Sequence, residues 1–355
     1  MRREELFERI ELGLPIEGRS FAGMDFDGVA LEGAMLIGCD FSGARFRSAR
    51  LEKSQLVQCK LDGADFSGAQ LAMVQAPCCS FAAAAFAGAG LLRCQFAESS
   101  FAKADFDAAE LDSTNFALAD LSGARFSRAL LKTVVLLDCT LAATDLSRAT
   151  GRGLSVIKGD LRSAILDGLD LDTFFAMEAD LSGRDLRGLR LARSNLMKSR
   201  LAGCNLSGVD LSQSLFLEAD LSGADLSGAR LGMALMAGAD LTAAKLGGAE
   251  LTSANFTDAR LGGADLTGAL LNYALFERAD CAAARFDRAR LDYAQLPYAR
   301  LDGASFMEVR FHQTNLHAVS AEGTLFQHAT GSTLPTDPQR AVADLYDPAR
   351  VAVPT

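Results

Sequence analysis

The sequence predicts an all-β solenoid, a chain wound into stacked coils, and three observations carry that expectation. Stepping by five from Phe21 to Phe326, Leu or Phe occupies 55 of 62 successive positions without a phase slip. The exceptions, Ala76, Gly151, Val156, Ala176, Met236, Cys281 and Ala321, are substitutions within the register. Two residues before each of these central positions the chain is mostly Ala, otherwise mainly Ser, Thr, Cys or Val. The composition, with 32 glycines, no tryptophan and three histidines, is that of a repeat array and not of ordinary globular domains. Period five is neither the 3.6 of an α-helix nor the 2 of a flat strand, so each unit must contain its own turn, and its Asp, Ser and Gly positions supply the chemistry.

The unit is cleanest at residues 219–228, ADLSGADLSG, which has the form A-D/N-L/F-S/T-G. At this copy number the motif resembles the pentapeptide-repeat family, over roughly residues 16 to 330. The resemblance implies a right-handed quadrilateral β-helix with four pentapeptides per coil. The sequence offers an independent check, because side chains 20 residues apart should then stack on one wall. Phe26, Phe46, Phe66, Phe86, Phe106 and Phe126 form an unbroken column, and Leu31, Leu51, Leu71, Leu91, Leu111 and Leu131 another. At the ~4.8 Å spacing of paired strands, about 15 coils would give a rod on the order of 70 Å long.

Taken in chain order, residues 1–20 read as a short capping helix and lead-in. Residues 2–12 have amphipathic spacing, with Leu6, Phe7 and Ile10 available to cover the first coil's open edge. Residues 21–330 are the β-helix. The consensus lapses near Ala149–Leu154, where Gly151 is expected to leave a core slot empty, so a bulge or bend is expected over 149–160. Phe174 and Ala176 invert the large and small slots, a swap that could conserve volume. Arg184 falls in an inward slot, where an unpaired charge would cost several kcal/mol, so either the coil distorts or the guanidinium escapes. Residues 331–355 form a proline-containing tail, with Asp337-Pro338 as a helix start before Gln339 to Leu345, that either caps the far end or hangs free.

Six of the eight cysteines, Cys39, Cys59, Cys79, Cys94, Cys139 and Cys204, take the small inward slot and Cys281 the central one, which reads as small buried thiols. Cys39, Cys59 and Cys79 share a column, but no Cys-x-x-Cys pair exists and only Cys78 faces outward. His312, His317 and His328 lack the spacing of a helical metal pair and have no nucleophile nearby. Tyr273 and Tyr293 lie 20 apart and should stack. Neither a catalytic site, a cofactor, a metal nor a small-molecule substrate is expected.

The outward residue before each central position carries most of the charge. One column reads Asp25, Arg45, Asp65, Ala85, Asp105, Arg125, Asp145, and another Asp170, Arg190, Asp210, Arg230, Glu250. Alternation avoids like-charge stacking between coils and adds at most ~0.2 to 1 kcal/mol per pair. The fourth face differs. Its outward positions include Ile37, Val57, Val135, Leu137, Ile157, Phe175, Met177, Met197, Leu215, Leu217 and Leu235. An apolar stripe of this length exceeds what monomers tolerate uncovered, and the two short ends cannot reach along all of it, so a protein partner or self-association is expected there.

A formal charge of −10 disfavours direct binding to nucleic acid or anionic lipid, though it leaves open mimicry of a polyanion. With acids near the N-terminus and no apolar run of ~18 residues, neither a secretory signal nor a membrane span is expected, which points to a cytoplasmic protein. Two functions compete. The first is a bacterial, non-enzymatic structural or adaptor protein docking a partner along the apolar face; the resemblance extends this to members associated with secretion systems. The second, which the resemblance also implies, is a DNA-mimic modulator of DNA gyrase or topoisomerase. Against it, Arg is interspersed with Asp.

Overall fold

The computed structural model describes residues 3–344, which fall into two compact units: residues up to 182 with 188–199, and 183–187 with 200 onward. Each is a β-solenoid of parallel strands in which pairing partners lie 20 residues apart.

The backbone explains the motif. At each central residue the N–H reaches the coil above, as Phe46 does to the Asp65 carbonyl at 2.7 Å, while the Asp65 N–H reaches down to Ala44 at 3.0 Å. The chain then turns: the Ala44 N–H closes back on the Phe41 carbonyl at 3.0 Å. The corner residue takes a left-handed conformation, φ 65° at Gly63 and 60° at Lys158, which is why the consensus has glycine there. The consensus Asp and Ser stabilise the same turn. Asp65 Oδ1 accepts the Ser67 N–H at 3.0 Å and its hydroxyl at 2.6 Å, and Asp220 does the same for Ser222 at 3.0 and 2.6 Å.

Four pentapeptides make four walls, numbered here from Phe21 (first), Phe26 (second), Leu31 (third) and Leu36 (fourth). In the N-terminal unit the third and fourth walls each carry a five-stranded parallel sheet. The fourth-wall sheet is built from Gln95–Ala97, Asn115–Ala117, Val134–Leu137, Leu154–Ile157 and Phe174–Met177. Its register stacks Val135 on Ser155 on Phe175, and Leu137 on Ile157 on Met177.

The interior is filled by the central residues and the small residues two before them. On the second wall, Phe26 through Phe126 stack ring on ring at 4.6–5.1 Å with interplanar angles of 11° or less. Each such buried ring contributes on the order of 2–3 kcal/mol of apolar burial. Many polar residues in the small slots share one pattern: their donor goes to the carbonyl of the residue 23 earlier, the central residue of the coil below. Ser54 reaches Leu31 at 2.9 Å, Thr114 reaches Leu91 at 2.7 Å, and the thiols of Cys39, Cys79 and Cys139 reach Ile16, Leu56 and Phe116 at 3.2–3.3 Å. Ser199 instead donates to the Leu196 carbonyl at 2.6 Å. All eight cysteines are free, and only Cys78 is exposed. Desolvation pushes the Cys94 thiol up to about 12 and Cys139 up to about 11, and raises Cys281 as well, so these thiols stay protonated.

Phe174 and Ala176 are both buried in their inverted slots. Gly151 is half-buried, and its backbone, at φ 145°, runs so close to the neighbouring coil that an added Cβ would lie 1.9 Å from the Leu131 carbonyl oxygen, which accepts the Arg152 N–H at 3.0 Å and the Gly153 N–H at 3.5 Å. Arg184 is half-buried and not enclosed in the interior.

At the start of the N-terminal unit, helix Arg3–Glu11 buries Leu6 and half-buries Phe7 and Ile10, beside Val29 and Ala30 of the first coil. Ile16–Glu17 then pairs with Met35–Ile37. In the C-terminal unit the last strands, Arg290–Asp292, Arg310–Asn315 and Thr330–Leu334, are parallel, with a register shift between Phe311 and Thr314. Asp337 then caps helix Pro338–Asp344 by accepting the Gln339 N–H at 2.9 Å. Leu345 lies outside the described residues.

Candidate functional site

The walls differ in what they turn outward. Along the second wall Arg45 pairs with Asp25, and Arg125 lies 3.5 Å from Asp105. On the third, Arg190 lies 3.2 Å from Asp170, and Arg230 is held between Asp210 at 3.6 Å and Glu250 at 3.7 Å. The first wall of the C-terminal unit repeats the device, with Arg260 on Asp240 and Arg300 on Asp280. The columns intersperse acids with arginine, although the second-wall column from Asp25 to Asp145 holds four Asp to two Arg. The ion pairs are largely exposed, so each adds little stability, and their main effect is to hold register and hydration. Turn hydrogen bonds depress several of the carboxylates: the Ser42 hydroxyl and N–H hold Asp40, and those of Ser227 hold Asp225, below the usual carboxylate range.

The fourth wall carries no such ladder. In the N-terminal unit its outward positions hold Ile37, Val57, Val135, Leu137, Ile157, Phe175, Met177 and Met197. Ile37 and Leu137 are exposed, at 36% and 37%, and the other six are half-buried. The half-burial is mutual. Same-column neighbours in register cover each other's edges and leave their tips to solvent. The patch is densest where the strands are longest, over Val134–Leu137, Leu154–Ile157 and Phe174–Met177, and Phe175 continues by a bridge to Asn195. Asn195 turns its amide NH₂ to Met177 Sδ at 3.1 Å. In the earlier coils the same wall is polar at the preceding position, where Gln95 and Asn115 join side-chain amides at 3.3 Å.

In the C-terminal unit Leu215 and Leu217 are half-buried and Leu235 is 40% exposed. The column continues through Asn255 to exposed Leu275, which sequence reasoning missed by stopping at the coil of Leu235, although the same spacing of 20 would have found it. Further on the wall is covered from within. Pro297 and His317 are buried, and the tail folds over them. His317 Nδ1 accepts the Asp337 N–H at 3.2 Å, so Nε2 carries the proton offered to Asp344 at 3.3 Å. The Tyr298 hydroxyl also donates to Asp344 and is the main cause holding that carboxyl below its ordinary range. A second feature missed from sequence is Leu118, a fourth-wall corner residue that is 57% exposed because its left-handed backbone turns the side chain out.

Tyr273 and Tyr293 stack at 5.1 Å, and Tyr293 Oη lies 3.0 Å from His312 Nε2. Among the described residues no group of three or more His, Cys, Asp or Glu could hold a metal ion, and no helix is long and apolar enough to cross a membrane.

A filled parallel solenoid whose walls differ in what they turn outward is the class of fold that these residues define. The comparisons place it more narrowly. Eight copies of the family described as Pentapeptide repeats match at residues 25–63, 39–74, 89–128, 177–213, 194–232, 219–258, 234–272 and 284–320, more than half of the chain. The chain belongs to the pentapeptide-repeat family. Among solved structures it is similar to HetL, a pentapeptide repeat protein involved in heterocyst differentiation regulation from the cyanobacterium Nostoc sp. strain PCC 7120, at 20% identity over 93% of this chain and 94% of that one, with a TM-score of 0.16. It is similar to full-length QnrB1, a plasmid-mediated fluoroquinolone resistance protein, at 17% identity over 81% and 94%, with a TM-score of 0.19. A pentapeptide repeat protein of the Arabidopsis thaliana thylakoid lumen matches at 22% identity over 46% and 74%, with a TM-score of 0.13. A search of curated proteins returned no match.

Proposed function

We propose that this protein is a non-catalytic adaptor that docks a protein partner along the fourth wall, with the patch of Val135, Leu137, Ile157, Phe175, Met177 and Met197 as the principal contact. The observation that supports this most directly is the contrast in register: the residues that form charge ladders on the other walls are replaced here by aliphatic, aromatic and thioether side chains on one continuous sheet. Apolar groups at these outward positions do nothing for the interior, which the central and small residues already fill. Their removal from water is the driving force left for association. Leu215, Leu217 and Leu235 offer a second, smaller contact on the C-terminal unit. A bacterial secretion-associated assembly is the setting we favour, with the protein acting inside the cell.

The ladders weigh against the alternative of a duplex-like acidic surface, since Asp25, Asp105, Asp170, Asp240 and Asp280 are each partnered by an arginine. Supercoiling by purified gyrase is therefore expected to be unaffected by this protein. The decisive experiment is affinity capture in the native host with the wild-type chain, with Ile157→Asp and with Leu217→Asp. Ile157→Asp should lose the partner while retaining the wild-type circular dichroism spectrum, and Leu217→Asp should weaken capture less. Retention of every partner by both variants would remove the fourth wall as a functional surface.

A further inference from the structure

Resting on the reading of the fourth wall as a protein-binding surface, we infer that the occupant of its densest part is a second copy of this chain, packed antiparallel about a two-fold axis that lies between the strands Leu154–Ile157 and Phe174–Met177. The argument comes from the rim. The corner column after the outward apolar residues reads Asp138, Lys158, Glu178 and Lys198, all exposed and all in the left-handed turn conformation. Backbone hydrogen bonds fix their stacking: the N–H groups of Asp138, Lys158 and Glu178 reach the carbonyls of Ile157, Met177 and Met197 at 2.8, 3.0 and 2.9 Å. The signs run minus, plus, minus, plus.

A two-fold axis lying in the contact plane and along the strand direction reverses the order of coils but keeps each rim opposite its own copy. The reversed column reads plus, minus, plus, minus, so all four positions meet an opposite charge. Asp138 faces Lys198 of the second copy, Lys158 faces Glu178, and the two remaining pairs follow by symmetry. The same operation places Ser155 opposite Phe175, a small residue against the largest on the wall, and sets Leu137 against Met197 and Ile157 against Met177. The opposite rim, Thr133, Gly153, Thr173 and Arg193, brings no like charges together. If the copies instead ran parallel, with the axis along the solenoid, each charged rim would face the rim of Thr133, Gly153, Thr173 and Arg193, where Lys198 would meet Arg193, and the complementarity would vanish. Four coils at ~4.8 Å form a small contact, so a weak, salt-sensitive dimer is expected and not an obligate one.

Two measurements on the full chain test this. In sedimentation velocity, Lys158→Glu and Glu178→Lys should each weaken dimerisation about tenfold, because two symmetry-related rim pairs turn repulsive, and the double variant should restore it. The double exchange disturbs alternation within one chain, so recovery reports contact between chains. In a Cys78→Ser background, where the other seven cysteines are buried, Leu137→Cys with Met197→Cys should oxidise to a covalent dimer, while either alone should not. Within one copy those positions are three coils, ~14 Å, apart, too far to bridge. Equal dimerisation by the wild type and both single reversals, failure of the cysteine pair to cross-link, or a chain monomeric up to about 1 mM would overturn the inference. If the chain is monomeric and Ile157→Asp still abolishes partner capture, the second copy falls and the protein-binding wall stands. If Ile157→Asp changes neither, both readings fall.

Discussion

The second and fourth walls of the N-terminal unit share a backbone path, a hydrogen-bond scheme and a 20-residue register, yet one turns Asp25 and Arg45 to solvent and the other Leu137 and Ile157. The coil is therefore indifferent to what its outward positions hold. Its stability resides in the inward pair of slots, and the outward pair is free to be used for hydration on one wall and for contact on another. This separation is the physical basis of a surface that can change partner without changing fold.

Substitutions on the second and third walls should break or sharpen that contrast. The largest effect is expected at Phe66→Ala, which removes a ring stacked on both sides and should cost about 3–5 kcal/mol, read as a lowered denaturant midpoint. A loss below about 1 kcal/mol would mean that the interior is not what holds the coils. Next comes Gly151→Ala, where the new Cβ meets a backbone carbonyl that cannot rotate away; about 2–3 kcal/mol of destabilisation is expected, and none would indicate that the local main chain relaxes freely. The smallest is Arg125→Ala on the outward ladder, expected to cost under about 1 kcal/mol, with the difference shrinking further as salt is raised. A larger, salt-independent effect would show that the ladders stabilise the fold and are not equivalent to the apolar wall after all.

Much of this was legible in the residues because the repeat makes position equivalent to environment. Once four units of five close a coil, as the family resemblance implies, Phe26 and Phe46 must occupy the same slot, and Ile157 must lie between Leu137 and Met177. Legibility failed where main chain departs from the common path. The close approach of the Gly151 backbone to Leu131 is something no pattern of side-chain volumes could reveal. It failed again at the tail. Asp337-Pro338 marked a helix start, but the docking of that helix through Asp344 onto Tyr298 and His317 joins residues far apart in sequence with no periodic relation. Leu118 was overlooked for a related reason: it sits at a corner, so its apolar side chain belonged to none of the columns followed along the walls.

The amino-acid order alone determined the five-residue unit and the assignment of each residue to inside or outside, because a unit repeated in phase buries Leu and Phe against Ala; the closing of a coil after four units came from the family resemblance, and the 20-residue columns agree with it. The tertiary structure decided how far the outward apolar residues shield one another, which corners project, and where the chain's end covers its own wall. Those depend on contacts between coils and between segments without a shared period, so no single unit encodes them.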